Sequence, residues 1–189
     1  MLAPGDEAGF EMKLFKEAFD YVHSNSDLGI TIHAGEAAGW DSVRQAVEVG
    51  HANRIGHGVR LHESAELLEK LASSDSTTTI EVCMSSNLLT KACDELEQHP
   101  VRRFYEEGQG KGKQGLKISP CTDGNTMIGK SVSDQYHMLQ ETFGFTPKEL
   151  VSLVDNGFEA AFIPEEVRAP LLDRARKQCQ EVLSSAGLS

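Results

Sequence analysis

The stretch "GITIHAGEAAGWDS", residues 29–42, decides the fold. Its β-branched run Ile30, Thr31 and Ile32 favours an extended, buried strand. His33 and Glu36 stand at the strand's exit, and Ala34 and Gly35 leave room there for something to approach the backbone. A turn that only redirects the chain needs neither an imidazole nor a carboxylate, and this one has both.

The same pattern recurs outward from that stretch. Upstream, Phe10, Leu14, Phe15, Ala18 and Phe19 fall at helical spacing, so a helix is expected over about 10–23. Downstream, Asp41 is expected to cap a helix over 42–49, and "NRIGHG" at 53–58 reads as a second strand. A helix fits 63–74, and the β-branched run "TTTIEVC" at 77–83 makes a third strand leading into "MSSN". A helix near 100–107 precedes "GQGKGKQG" at 108–115, which reads as a surface turn. "LKISPC" at 116–121 is the fourth strand, ending in "TDGN". From Ser133 onward the pattern is helical, with breaks expected at Gly144, Gly157 and Pro164 and a helix start at Thr146–Pro147.

Strands alternating with helices imply parallel pairing and an α/β fold. Polar groups stand at every strand exit: His33 and Glu36, His57, Ser85 to Asn87, and Asp123. A β/α barrel gathers its working groups at these carboxyl ends. A doubly wound sheet would instead carry a Gly-rich phosphate turn, and neither G-x-G-x-x-G nor G-x-x-x-x-G-K-[ST] occurs. The expected architecture is therefore a partial (β/α)8 TIM barrel, since four strands are half of one.

Composition narrows the partners. A 189-residue chain with 39% hydrophobic and 25% charged residues suits one globular domain. Its net charge of −11 argues against nucleic acid or an anionic membrane as the main partner and leaves a small ligand in a pocket. No apolar run approaches the ~20 residues that span a bilayer. The first residues lack the regions of a signal peptide, so a cytoplasmic location is expected. Cys83, Cys93, Cys121 and Cys179 form no C-x-x-C pair and read as reduced thiols.

Each candidate residue has an ordinary alternative. A lone histidine at a strand end is more often a structural hydrogen-bonding group than a ligand. His57, between Gly56 and Gly58, leans the other way. Asp123 can cap the following turn, and Glu36 can open a helix. Taken jointly, two imidazoles and two carboxylates at successive strand ends can supply metal ligands, a general acid and an orienting base. His23, His62, His99 and His137 are expected to be solvated, and His51 to sit near a helix end.

"TIHAGE", "RIGHGV", "EVCMSSN" and "CTDGN", in this order and spacing, resemble the motifs of the adenosine deaminases. "LAPGDEAG" at 2–9 resembles a further turn of that family, and "FIPEE" at 162–166 its C-terminal helical segment. The resemblance implies a zinc-dependent barrel enzyme converting adenosine to inosine and ammonia. By motif, His33 and Asp123 correspond to zinc ligands. Glu36 corresponds to the acid that protonates the purine ring nitrogen, and His57 to the group that orients the attacking oxygen. Gly35 and Gly5 would lie against the nucleoside.

Two departures qualify what the resemblance implies. The family takes two further zinc ligands from an H-x-H motif, and no H-x-H occurs in this chain. Residues 1–189 are thus expected to hold roughly strands five to eight with their helices, the C-terminal portion of such a domain. The open edges of such a half-barrel invite self-association or complementation. In addition, Gly124 stands where the family places a second Asp on the purine, a charge-assisted contact worth about 1.5–3 kcal/mol. The alternatives are a non-catalytic remnant that binds a partner, and a deaminase for adenine or N6-substituted purine nucleotides.

Overall fold

Four short strands form one parallel sheet in chain order: β1 (Thr31–Ala34), β2 (Arg54–His57), β3 (Thr79–Val82) and β4 (Lys117–Pro120). The computed structural model describes residues 11–73, 75–107 and 115–188. A 3-10 turn at Met12–Phe15 leads into α1 (Lys16–Asn25), and α2 (Trp40–Glu48) and α3 (Ala65–Leu71) follow the first two strands. After β3 come α4 (Met84–Leu89) and α5 (Val101–Glu106). After β4 come α6 (Asn125–Ile128), α7 (Val132–Phe143), α8 (Pro147–Glu159) and α9 (Glu165–Ser185).

The register explains why this sheet has two unlike faces. Ile32, Ile55, Ile80 and Ile118 pair across all four strands, and each is 1% exposed or less. Side chains alternate along a strand, so this isoleucine row lies on one face. It joins a core with Val43 and Ala46 of α2, Leu68 of α3, Phe104 of α5 and Leu153 of α8. The residues on either side of the row turn to the opposite face: Thr31, His33, Arg54, Glu81, Lys117 and Ser119, all half-buried. There Glu81 accepts from Thr31 Oγ1 at 2.9 Å and pairs with Arg54 at 3.1 Å, tying three strands together.

The sheet's two outer edges also differ. Cys121 N–H bonds Val82 O, so along β4 alternate carbonyls turn away from β3. One of these, Ile118 O, accepts from Asn156 of α8 at 3.0 Å. β1 is the other end of the sheet, and among the described residues no strand lies beyond it. The segment after α8 closes the amino ends of the strands, where Phe162 lies under the Arg54 guanidinium at 3.8 Å.

Several expectations need correcting. The N-cap of α2 is Gly39, and Asp41 lies in its first turn, bonded to Arg44 and Gln45. The helix expected over 63–74 is shorter, because Ser64 caps Leu67 N–H and starts α3 only after a 3-10 turn at Val59–Glu63. The strand expected over 77–83 ends at Val82, and "MSSN" after it opens α4. Gly157 does not break α8. A Cβ there would stand 3.2 Å from Ser119 Oγ, so glycine is what lets the helix approach β4. Thr146 and Pro147 open α8 with a full capping box, as expected. The expected positions Phe10 and 108–114 lie outside the described residues.

Ile80→Ala is expected to cost about 2–5 kcal/mol, read as a lower urea midpoint. Thr31→Ala loses one hydrogen bond on the other face and is expected to cost about 1 kcal/mol in the same assay.

Candidate active site

Two of the site candidates owe their positions to glycine. His33 lies one residue before the end of β1, opposite Gly56, and a Cβ at Gly56 would stand 2.6 Å from His33 Cδ2. The imidazole therefore occupies the space that a side chain at 56 would fill. Gly35 follows with φ of 70°, and a Cβ there would meet Val43 Cγ2 at 2.6 Å. Its N–H donates to Ser42 Oγ and its carbonyl accepts from Arg60 N–H, both at 2.8 Å. This anchored turn aims Glu36 back towards the sheet.

His57 ends β2 and Asp123 lies in the loop after β4, and both adopt left-handed backbone conformations, with φ of 70° and 56°. Such conformations cost about 1–3 kcal/mol each in a non-glycine residue and cluster at functional sites. His57 is 2% exposed. Its Nε2 lies 3.2 Å from Glu36 Oε2 and 3.3 Å from His33 Nδ1, and the two rings meet edge to face at 4.6 Å. Ligand atoms of His33, Glu36 and His57 all fall within 4.8 Å of one another, the one such group of metal-binding side chains among the described residues.

Asp123 stands outside that group, exposed, with Oδ2 accepting from Ser86 Oγ at 2.7 Å. Ser86 and Asn87 are neighbours on α4, so one short helix touches both parts of the site. Gln135 of α7 holds that helix in place, donating to Ser85 Oγ at 2.8 Å. Gly124 has open space around a notional Cβ, so an Asp would fit there. Gly5 lies outside the described residues.

A buried chain of hydrogen bonds sets the proton positions. Val101 N–H donates to His99 Nδ1 at 3.2 Å, and a backbone N–H cannot act as acceptor. Neutral His99 therefore carries its proton on Nε2 and donates it to Asn87 Oδ1 at 3.3 Å. This fixes the amide, so that Asn87 Nδ2 donates to His57 Nδ1 at 3.2 Å and faces Glu36 Oε1 at 3.4 Å. By donor–acceptor complementarity, neutral His57 keeps its own proton on Nε2, towards Glu36 and His33. Thr90 Oγ1 also donates to Glu36 Oε1, at 2.8 Å.

Sequence reasoning placed His99 in solvent, whereas it is 4% exposed. Burial, with a smaller contribution from His62, pushes its pKa down from 6.5 to about 4. The available signal was position. His99 precedes the Pro100 cap of α5, where a helix N-terminus has N–H groups without intrahelical partners. Thr90 carried no signal of its own.

The sequence model of the adenosine deaminase family matches residues 2–178. The chain belongs to the adenosine deaminase family. An adenosine deaminase of Clostridium acetobutylicum is 33% identical over 170 residues, covering 90% of this chain and 48% of the relative. The crystal structure of an adenine deaminase from Arthrobacter aurescens matches with a TM-score of 0.80 at 25% identity, over 92% of this chain and 50% of that one. An amidohydrolase of Burkholderia ambifaria, solved with bound Zn, matches with a TM-score of 0.72 at 25% identity, over 93% and 48%. The chain thus spans about half the length of these relatives, and its sheet is part of a (β/α)8 barrel. The half-buried polar face bearing His33 and Glu81 is the one that a closed barrel turns inward.

Because His99 stays neutral in the fold, only the unfolded chain takes up its proton as the pH falls from 6.5 to about 4. Stability is retained above that window and declines through it, by on the order of 3 kcal/mol from this group. His99→Gln, which keeps a donor for Asn87, is expected to flatten this part of the pH profile of urea midpoints.

Proposed function

We propose that this chain carries the C-terminal half of a zinc-dependent deaminase that hydrolyses adenosine to inosine and ammonia. The observation that carries this reading is the meeting of His33, Glu36 and His57 at strand carboxyl ends, in a chain of the adenosine deaminase family. Imidazole nitrogens and carboxylate oxygens are usual zinc donors, so the residues fit the ion in kind. His33 and Asp123 would hold it. They are two of the three protein ligands usual at catalytic zinc, so a full set needs a segment or a second chain supplying more.

Zinc, when bound, makes a nucleophilic oxygen available at neutral pH by acidifying water. The chain's own groups do the rest. His57 presents Nε2–H to the attacking oxygen and orients it, while Asn87 and His99 hold the ring in that tautomer. Glu36 delivers a proton to the purine nitrogen beside the amino-bearing carbon, which prepares that carbon for attack. Gly35 and Gly5 would lie against the nucleoside. Since both polar backbone groups of Gly35 are engaged, its part is to leave space. The outer side of β1 is where a second copy or a complementing segment would complete the barrel.

A second reading concerns the substrate. The match to an adenine deaminase keeps adenine open as the base acted on, and N6-substituted purine nucleotides are the further alternative.

The test is zinc content together with the ultraviolet change on adding adenosine, adenine or an N6-methylated nucleotide. It uses the chain alone and the chain mixed with the amino-terminal half of the Clostridium relative. Turnover is expected in at least one mixture, with Glu36→Gln lowering it by about 10²-fold or more. Zinc-loaded mixtures that neither bind nor turn over any of these purines would overturn the reading.

A further inference from the structure

We propose that Cys83 and Cys121 form a reversible oxidation site, a thiol pair at the strand ends that a hydroperoxide converts into an intramolecular disulfide. All four cysteines are free in the structure. Two of them are nonetheless neighbours on adjacent strands. Val82 pairs with Pro120 as the last pair of the β3–β4 ladder, closed by Cys121 N–H donating to Val82 O at 2.8 Å, so Cys83 and Cys121 are the next residues out of two hydrogen-bonded strands.

Neighbouring strands run about 4.8 Å apart, within the ~4.4–6.8 Å Cα separation that a disulfide spans. The alternation along both strands sends the side chains at 83 and 121 to the same side of the sheet, where the Cys83 thiol donates to Glu81 O at 3.3 Å. No other two cysteines share an element or a register position: Cys93 is buried with its thiol on Glu95 O, and Cys179 lies on α9.

The two members differ in access, which orders the steps. Cys121 is partly exposed and Cys83 is 3% exposed. The Cys121 sulfur attacks the peroxide, breaking the O–O bond to give a sulfenic acid and, from hydrogen peroxide, water. The Cys83 sulfur then attacks the Cys121 sulfur. The S–S bond forms, the S–O bond breaks, and the departing hydroxide leaves as water with the Cys83 proton. The two thiols are oxidised by two electrons, and one peroxide is reduced.

The bond would join two parts of the site. Cys83 precedes α4, whose Ser86 holds the Asp123 carboxylate, and Asp123 N–H in turn donates to Cys121 Sγ at 3.5 Å. Oxidation therefore ties the base of α4 to the loop of Asp123.

The experiment treats the folded chain with stoichiometric hydrogen peroxide, alkylates the remaining thiols and digests it without reductant for mass spectrometry. The expected product is lighter by two hydrogen atoms, yields one cross-linked peptide pair containing Cys83 and Cys121, and reverts with dithiothreitol. Cys93 and Cys179 remain alkylated. Cys121→Ser is expected to lose no mass, and Cys83→Ala to stop at a sulfenic acid on Cys121 that dimedone traps. Oxidation of Cys121 to sulfinic acid with Cys83 still reduced, a disulfide through Cys93 or Cys179, or no oxidation of either thiol would overturn the proposal. Because the readout is mass, it is independent of deaminase turnover.

Discussion

The amide of Asn87 is the interaction on which the rest of the site depends. It is fully buried on α4 and faces three groups that the chain brings from far apart: His57 from β2, Glu36 from the turn after β1, and His99 from ahead of α5. An unpaired amide at such depth costs several kcal/mol, so its partners are strongly specified. The direction of donation is set by a group that cannot reverse, the Val101 N–H at the start of α5. A helix terminus outside the site thus decides which nitrogen of His57 carries a proton.

The parallel sheet makes this convergence possible. Each strand delivers its exit residues to the same end, and the shared isoleucine row fixes the levels at which they emerge. The opposite face is polar, bridged by Glu81 to Thr31 and Arg54. Parallel sheets ordinarily have both faces covered, and a polar, hydrogen-bonded face suits the inside of a barrel. A cleft of about 940 Å³ lies at the amino ends of the strands, lined by Gly29, Arg54 and Phe162, away from His33 and His57. With relatives twice as long, the site's depth is what the other half of a barrel would supply.

Much of this was legible in the sequence, for physical reasons. β-branched runs marked the first and third strands, because such side chains suit a pleated, buried surface. His33, Glu36 and His57 stood out because ionisable groups at strand exits have no packing role to explain them. What stayed hidden depended on tertiary context. His99 looked like a surface residue because its partners, Asn87 on α4 and Phe143 on α7, lie on other elements. Gly157 looked like a helix break because its reason, close contact with Ser119, lies on another element. Asp123 shared the sequence pattern of the others, but its carboxylate is held by Ser86 instead of joining the histidine cluster.

The most direct test of this account is a long-range ¹H–¹⁵N correlation spectrum of the histidine side chains, with His57 assigned by substitution. The proton-bearing nitrogen of neutral His57 should be Nε2, with Nδ1 bare, and His99 should show the same tautomer. A His57 protonated at Nδ1 in the folded chain would contradict the hydrogen-bond chain from Val101 and with it the proposed orientation of the site.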